Sequence, residues 1–401
     1  MTPGRVVIVG AGQGGFQAAA SLRQDGFAGR ITLIGDEPGL PYQRPPLSKA
    51  YMKDGEADRL LMKPAAFYER SEIDYRAATR AVEIDRAAGR VLTADGGAHA
   101  YDHLILATGA RNFLPPIAGL DAAGVHGLRT LADAADLRAR IADGGSAVVI
   151  GGGFIGLEFA AVARAAGVDV TVLEAAGRLM GRVVSPEVSA HFLALHEAMG
   201  TRVLLDARAE AVEPGAVLLA DGRRIEAGMI LLAAGVRPNA ELAAEAGLAV
   251  ANGVVVSDRL LTDDPAISAL GDCACFPLAG GRRVRLESVQ AAVDHARHIA
   301  RRLADLEDAP YGAVAWFWSD QGEHKLQIAG LALDADRHVA APSPPGRLIV
   351  LSLAGDRLVA VETVNAPGPH MATRKLLAAG RPVTLAEIEA ADFDLLRLAK
   401  G

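Results

Sequence analysis

The sequence predicts an α/β fold in which one strand–glycine turn–helix–strand unit occurs twice, with a β-hairpin near the C-terminus. Three observations predict it. "VVIVGAGQGG" stands at Val6 to Gly15, and "VVIGGGFIGLE" repeats its pattern at Val148 to Glu158. Near the C-terminus, two apolar runs meet at a Gly355-Asp356 turn. Each glycine stretch follows a short apolar run and opens a helical pattern, as a Rossmann-like dinucleotide-binding unit does.

The bulk numbers agree with that division. A chain of 401 residues exceeds an ordinary single core, so two or three domains are expected. It is 51% hydrophobic and 22% charged, and no apolar run approaches the roughly 20 residues of a membrane helix. The first apolar run, Val6 to Val9, is too short for a signal peptide, so a cytoplasmic protein is expected. A net charge of -7 argues against general nucleic-acid binding and leaves room for a local basic patch. Cys273 and Cys275, the two cysteines, cannot by themselves make a disulfide framework or a four-ligand iron–sulfur or zinc site. No metal site is expected.

In the first unit Gly10, Gly12 and Gly15 fill G-x-G-x-x-G, with Gln13 and Gly14 between them. The first glycine allows a tight turn, the second lets backbone approach a pyrophosphate, and the third lets helix pack on strand. A second strand, Ile31 to Ile34, ends at Asp36 and Glu37, where a carboxylate suits a ribose. Seen alone, the glycines would also fit a turn in any α/β domain. Strand, helix, second strand and acid in order point to a dinucleotide.

The second unit carries Gly151, Gly153 and Gly156, with Phe154 and Ile155 between them, and its next strand ends at Glu174. One alternative is a duplication whose second site is dead. The other is two dinucleotides: FAD held at the N-terminal unit, and a nicotinamide nucleotide exchanged at the second. Such a chain passes a hydride from nicotinamide to flavin. Glu174 favours NADH, because it would repel a 2′-phosphate, although Arg178 follows it.

Other pieces repeat in the same way. "YDHLILATGA", Tyr101 to Ala110, reads as an apolar strand ending at Ala107-Thr108-Gly109, and "IEAGMILLAAGVRPN" repeats the shape through Gly235. In "ISALGDCACF", Gly271-Asp272 suits a sugar-alcohol hydroxyl such as FAD ribitol. A helix from Ser288 and Val289 could face the flavin pyrimidine edge with its N–H groups, or be an ordinary capped helix.

On these residues, together with "LPYQRPPLSKAY" and "WFWSDQ", the chain resembles the FAD-dependent, NADH-using ferredoxin reductases of bacterial oxygenase systems. The resemblance covers nearly the whole length. It implies a glutathione-reductase-like fold, with FAD on residues 1–108 and 240–318, NAD on 109–239, and a small α+β C-terminal domain at 319–401. It implies that Lys49 lies beside the flavin near N5, close to Glu158, and that both are catalytic. Arg44, Pro45, Val82 and Arg129 are implied at the FAD site, and Val289 over the pyrimidine edge. Trp318 is implied beside the flavin, at the route out to a partner.

No cysteine pair stands beside the presumed flavin, and Cys273 and Cys275 read as small buried hydrophobes. Electrons are therefore expected to leave directly, to a separate two-iron ferredoxin serving a haem monooxygenase or a ring-hydroxylating dioxygenase. Arg297 and Arg301, four apart on one helix with Arg302 beside them, are a docking candidate or a solvated basic face. A monomer or weak dimer is expected. Rivals on the same fold are a rubredoxin reductase and an NADH oxidase or quinone reductase. A rival of another class is an NADH-sensing flavoprotein that signals by dimerisation.

Overall fold

The computed structural model describes residues 3–121 and 124–400. Two units divide the chain: residues 1–44, 56–111 and 236–313 form one, and residues 45–55, 112–235 and 314–401 the other.

The first unit is built on a parallel sheet of five strands. Its order is Ile267–Ala269, His103–Leu106, Arg5–Val9, Arg30–Ile34 and Ile73–Arg76. The central strand, Arg5–Val9, buries four of its five residues, all β-branched, as a strand covered on both faces must. The helix Gln13–Gln24 follows it and packs along Val289–Leu303. A small antiparallel sheet, Ala81–Asp85, Arg90–Thr93 and Ala98–Ala100, interrupts the sequence between the third and fourth parallel strands. The run Tyr101 to Ala110 is a shorter strand than its apolar pattern suggests. Pairing spans only His103–Leu106, because Gly109 at φ +66° turns the chain.

The second unit repeats this plan. Its parallel sheet runs Arg202–Leu204, Asp169–Leu173, Ser146–Ile150, Met229–Leu232 and Val125–His126. Four strands thus recur in the same spatial order around the strand that feeds the glycine turn. Even the three-stranded antiparallel insertion recurs, as Ala209–Glu213, Ala216–Leu219 and Arg224–Glu226.

The same unit also holds an antiparallel five-stranded sheet, ordered Trp316–Gln321, His324–Gly330, Arg357–Val364, Leu348–Ala354 and Arg337–Ala340. Leu348–Ala354 and Arg357–Val364 form the hairpin expected at Gly355-Asp356. Leu351, Leu353 and Val361 of these strands pack with Leu376 and Ile388 of the following helices in a separate core. No helix among the described residues is long and apolar enough to cross a membrane.

Candidate functional site

The first glycine turn is shaped by what its glycines cannot accommodate. Gly10 has φ +106°, and a Cβ there would collide with the Ala107 carbonyl oxygen. A Cβ at Gly15 would collide with the Gly10 carbonyl oxygen. At Gly12 the nearest atom to such a Cβ is Arg44 Nε, 3.9 Å away, so this side of the turn is open. The helix Gln13–Gln24 has no side-chain cap at Gly12, which leaves its first N–H groups to a ligand. The same three properties recur at Gly151, Gly156 and Gly153. Gly151 has φ +117°, its Cβ would meet the Ala233 carbonyl and that of Gly156 the Gly151 carbonyl, while nothing lies within 4 Å at Gly153. Gly153 also begins an uncapped helix, Phe154–Ala165. By contrast, Thr130, Ser185 and Ser288 cap their own helices with side-chain oxygens. Both turns are cradles that a side chain would fill, and both fit a pyrophosphate.

The acids after the second strands differ in their surroundings. Asp36 is exposed, whereas Glu37 is held: the Tyr42 hydroxyl donates to it at 2.5 Å, and Arg44 forms an ion pair with it. The organised carboxylate at this position is therefore that of Glu37. Glu174 accepts the Gly152 N–H at 2.9 Å and the Ala176 N–H at 2.8 Å, which ties it to the glycine turn. Arg178 donates to the carbonyls of Val184 at 2.6 Å and Gly181 at 2.5 Å. Its guanidinium is spent on local backbone.

Lys49 closes the short turn Pro45–Ser48 of "RPPLSK" and begins the helix Ala50–Asp54. Its Nζ lies 3.0 Å from Glu158 Oε1 and 3.9 Å from Asp320 Oδ2, and 5.9 Å from the centre of the Trp318 ring. Glu158 is 3% exposed and accepts two further bonds, from the hydroxyls of Ser48 and Ser319, each at 2.6 Å. Burial lifts the Glu158 carboxyl above its ordinary range; Lys49, Ser319 and Ser48 all oppose that lift. Sequence reasoning named Lys49, Glu158 and Trp318, and missed Ser48, Ser319 and Asp320. The signal lay inside "RPPLSK" and "WFWSDQ" themselves. Trp318 stacks on Trp316 at 5.5 Å, and the Arg374 guanidinium lies 4.5 Å from the centre of the Trp316 ring. Phe154 packs against Phe317 at 4.6 Å.

Thr108 donates its hydroxyl to the Asn239 carbonyl at 2.6 Å, and the Asn239 N–H reaches the Gly109 carbonyl at 2.9 Å. Gly271 is buried, and its N–H is accepted by His295 Nδ1 at 3.2 Å beside the half-buried Asp272. Ser288 Oγ accepts the Ala291 N–H at 3.1 Å, so one N–H of that helix, which starts at Val289, is already used. Val82 is 45% exposed on its antiparallel strand. Arg129 donates its backbone N–H to Asp133 at 3.0 Å, just ahead of the helix Leu131–Ala142. A Cβ at Gly235 would lie 3.3 Å from Arg182. Cys273 and Cys275 are free and buried, and burial pushes the Cys273 thiol up. Arg301 pairs with Glu307 at 2.6 Å, and Arg297 lies 3.9 Å from Asp294. Arg302 turns inward and donates to Ser268 at 2.8 Å.

Comparison with known proteins adds two family matches. Residues 4–296 match the pyridine nucleotide-disulphide oxidoreductase family, and residues 316–399 match a reductase C-terminal domain. Among curated proteins, the chain is similar to rhodocoxin reductase of Rhodococcus erythropolis, 48% identical over 97% of this chain and 93% of that one. Among solved structures, it is similar to the ferredoxin reductase for the CYP199A2 system from Rhodopseudomonas palustris. That match has a TM-score of 0.95 and 44% identity over 99% of this chain and 100% of the other. The covalent putidaredoxin reductase–putidaredoxin complex matches with a TM-score of 0.93 and 38% identity, over 99% of each chain.

Proposed function

The chain belongs to the pyridine nucleotide-disulphide oxidoreductase family and carries a reductase C-terminal domain, and from that membership and the similar ferredoxin reductases we infer an NADH-dependent ferredoxin reductase. FAD is assigned to residues 1–108 and 240–318, NAD to 109–239, and the C-terminal domain to 319–401. Together the two cofactors supply hydride transfer from nicotinamide to flavin, followed by release of electrons one at a time to a separate two-iron ferredoxin.

The chain's own residues do the rest. The N–H groups around Gly12 and Gly153 bind the two pyrophosphates. Glu37 or Asp36, and Glu174, accept hydrogen bonds from the ribose hydroxyls, and Asp272 from the ribitol chain. Arg44, Pro45, Val82, Arg129 and Val289 line the flavin. Lys49 supplies positive charge near N5 with Glu158 as its counter-ion, and Trp318 marks the exit toward the partner. Cys273 and Cys275, the chain's two cysteines, are buried and free, which supports direct exit of electrons over a thiol relay. The ferredoxin in turn feeds a haem monooxygenase or a ring-hydroxylating dioxygenase, in the cytoplasm where NADH is made.

The observation that carries this reading is the duplication: two uncapped glycine turns on sheets that share the order of four strands. The names of the similar proteins support the choice of ferredoxin as acceptor. The test is purified protein assayed with NADH and cytochrome c. It should hold FAD noncovalently and reduce cytochrome c only when a two-iron ferredoxin is added. Folded protein that takes up no FAD, or a rate indifferent to ferredoxin, defeats the reading.

A further inference from the structure

Behind the Lys49–Glu158 pair lies a file of buried polar side chains that none of these roles uses. Glu158 Oε1 accepts the Ser319 hydroxyl at 2.6 Å. Gln321 Nε2 donates to Ser319 Oγ at 3.3 Å, and His196 Nε2 lies 2.9 Å from Gln321 Oε1. Ser319, Gln321 and His196 are each 0% exposed. Ser319 and Gln321 are two apart on the strand Trp316–Gln321, so they point to the same face. His196 comes from the last turn of the helix Pro186–Ala198.

The file has a direction. Ser319 gives its one proton to Glu158, so its oxygen is left as an acceptor, and the Gln321 amide N–H fills it. That orients the Gln321 oxygen toward His196, which must then donate from Nε2. His196 Nδ1 has no partner, and a bare lone pair there is tolerated better than a buried unpaired N–H. The second Gln321 proton faces the Met180 sulfur at 3.6 Å. His196 is therefore neutral, and burial also favours its neutral form. Three donors in series end on one carboxylate oxygen. Bonds in such a series polarise one another and favour the ionised form of the group that terminates them.

We propose that Ser319 and Gln321, backed by His196, are positioning residues that form a one-way chain of donors, which keeps Glu158 ionised and so fixes the Lys49 ammonium. Only the last link, from Lys49 to the flavin, rests on the function proposed above. The other charged groups around Glu158 are few. Asp320 lies 3.9 Å from Lys49, and Lys325 on the next strand lies 3.7 Å from Asp320. The strands Ser146–Ile150 and Asp169–Leu173 also pack on the Glu158 helix, and of these only Asp169 is charged; Arg164 neutralises it at 2.8 Å.

The test is an infrared pH titration of the holoenzyme carrying 13C-labelled glutamate. The protonated-carboxyl band of Glu158 is assigned by its loss in Glu158→Gln. Ser319→Ala should raise the titration midpoint by about one pH unit, since it removes a hydrogen bond to a charge. Gln321→Leu should raise it less, in the same direction, and Ser319→Thr should restore the parent value. A strut with only a structural role would lower the melting temperature and leave the midpoint unmoved. Parent-like midpoints in both Ser319→Ala and Gln321→Leu overturn the proposal. A separate measurement, the flavin potential of Lys49→Gln, decides the functional reading: if it equals the parent value, Lys49 is not at the flavin, whatever the midpoints show.

Discussion

Replacing Glu174 by Ala should narrow the preference for NADH over NADPH by on the order of 100-fold. Two backbone N–H groups, of Gly152 and Ala176, hold the carboxylate at 2.9 and 2.8 Å, so its charge is fixed beside the second glycine turn. Arg178, the nearest basic residue in sequence, is held by the carbonyls of Val184 and Gly181, so its donors are not turned toward a 2′-phosphate. A unit charge about 5 Å from a doubly charged phosphate would repel it by about 1.7 kcal/mol at a near-aqueous dielectric, or roughly 15-fold in rate. NADH loses in addition a hydrogen bond to a charged acceptor, roughly a further tenfold. The ratio of kcat/KM values should therefore close by on the order of 100-fold. Loosening of the turn, freed of its carboxylate, should affect both nucleotides alike and cancel in the ratio. The assay is steady-state reduction of ferricyanide with each nucleotide, which needs no protein docking. An unchanged ratio would place the ribose elsewhere.

Further expectations concern charge. Lys49→Gln should lower the flavin potential and slow flavin reduction by NADH, a charge near N5 being worth on the order of 1–4 kcal/mol before screening; spectroelectrochemical titration and stopped-flow absorbance measure the two. Reversing Arg297 and Arg301 to Glu should slow ferredoxin reduction most at low salt and leave ferricyanide reduction nearly intact. Because Arg301 already pairs with Glu307, the effect should come more from Arg297, and overlapping rate-against-salt curves would discard the patch. Burial holds His103 and His295 at about 3, against 6.5 unperturbed. Between those values the unfolded chain binds more protons than the folded one, so their contribution is complete above 6.5 and drains away as pH falls toward 3. Melting temperature should fall through that window, and His295→Gln, which keeps an acceptor for Gly271, should fall less steeply; parallel curves would exclude His295 as a source.

The glycine turns were legible because their demands are local. Gly10 needs a positive φ, and Gly15 must pass against the Gly10 carbonyl; both requirements show as G-x-G-x-x-G between a strand and a helix. The C-terminal hairpin was legible for a similar reason, with Gly355 at φ +63° between two apolar runs. The partners of Glu158 were not, since Ser48 lies 110 positions away and Ser319 161, and no local period encodes such meetings. Arg302 marks a signal passed over. With His295, Ile299 and Leu303 it falls on the inward face of its helix, and its guanidinium is spent on Ser268 rather than on a surface patch. Asp36 and Glu37 adjoin in sequence, and only the positions of Tyr42 and Arg44 pick out Glu37 as the ordered acid.

A single turnover without oxygen tests electron transfer to ferredoxin most directly. Protein reduced by NADH is mixed in a stopped-flow instrument with oxidised two-iron ferredoxin, and the absorbance of both partners is followed. Ferredoxin should bleach as the flavin is reoxidised, with two ferredoxins reduced per flavin, since the flavin holds two electrons and each ferredoxin takes one. A flavin that stays reduced until oxygen, quinone or rubredoxin is admitted would contradict that expectation.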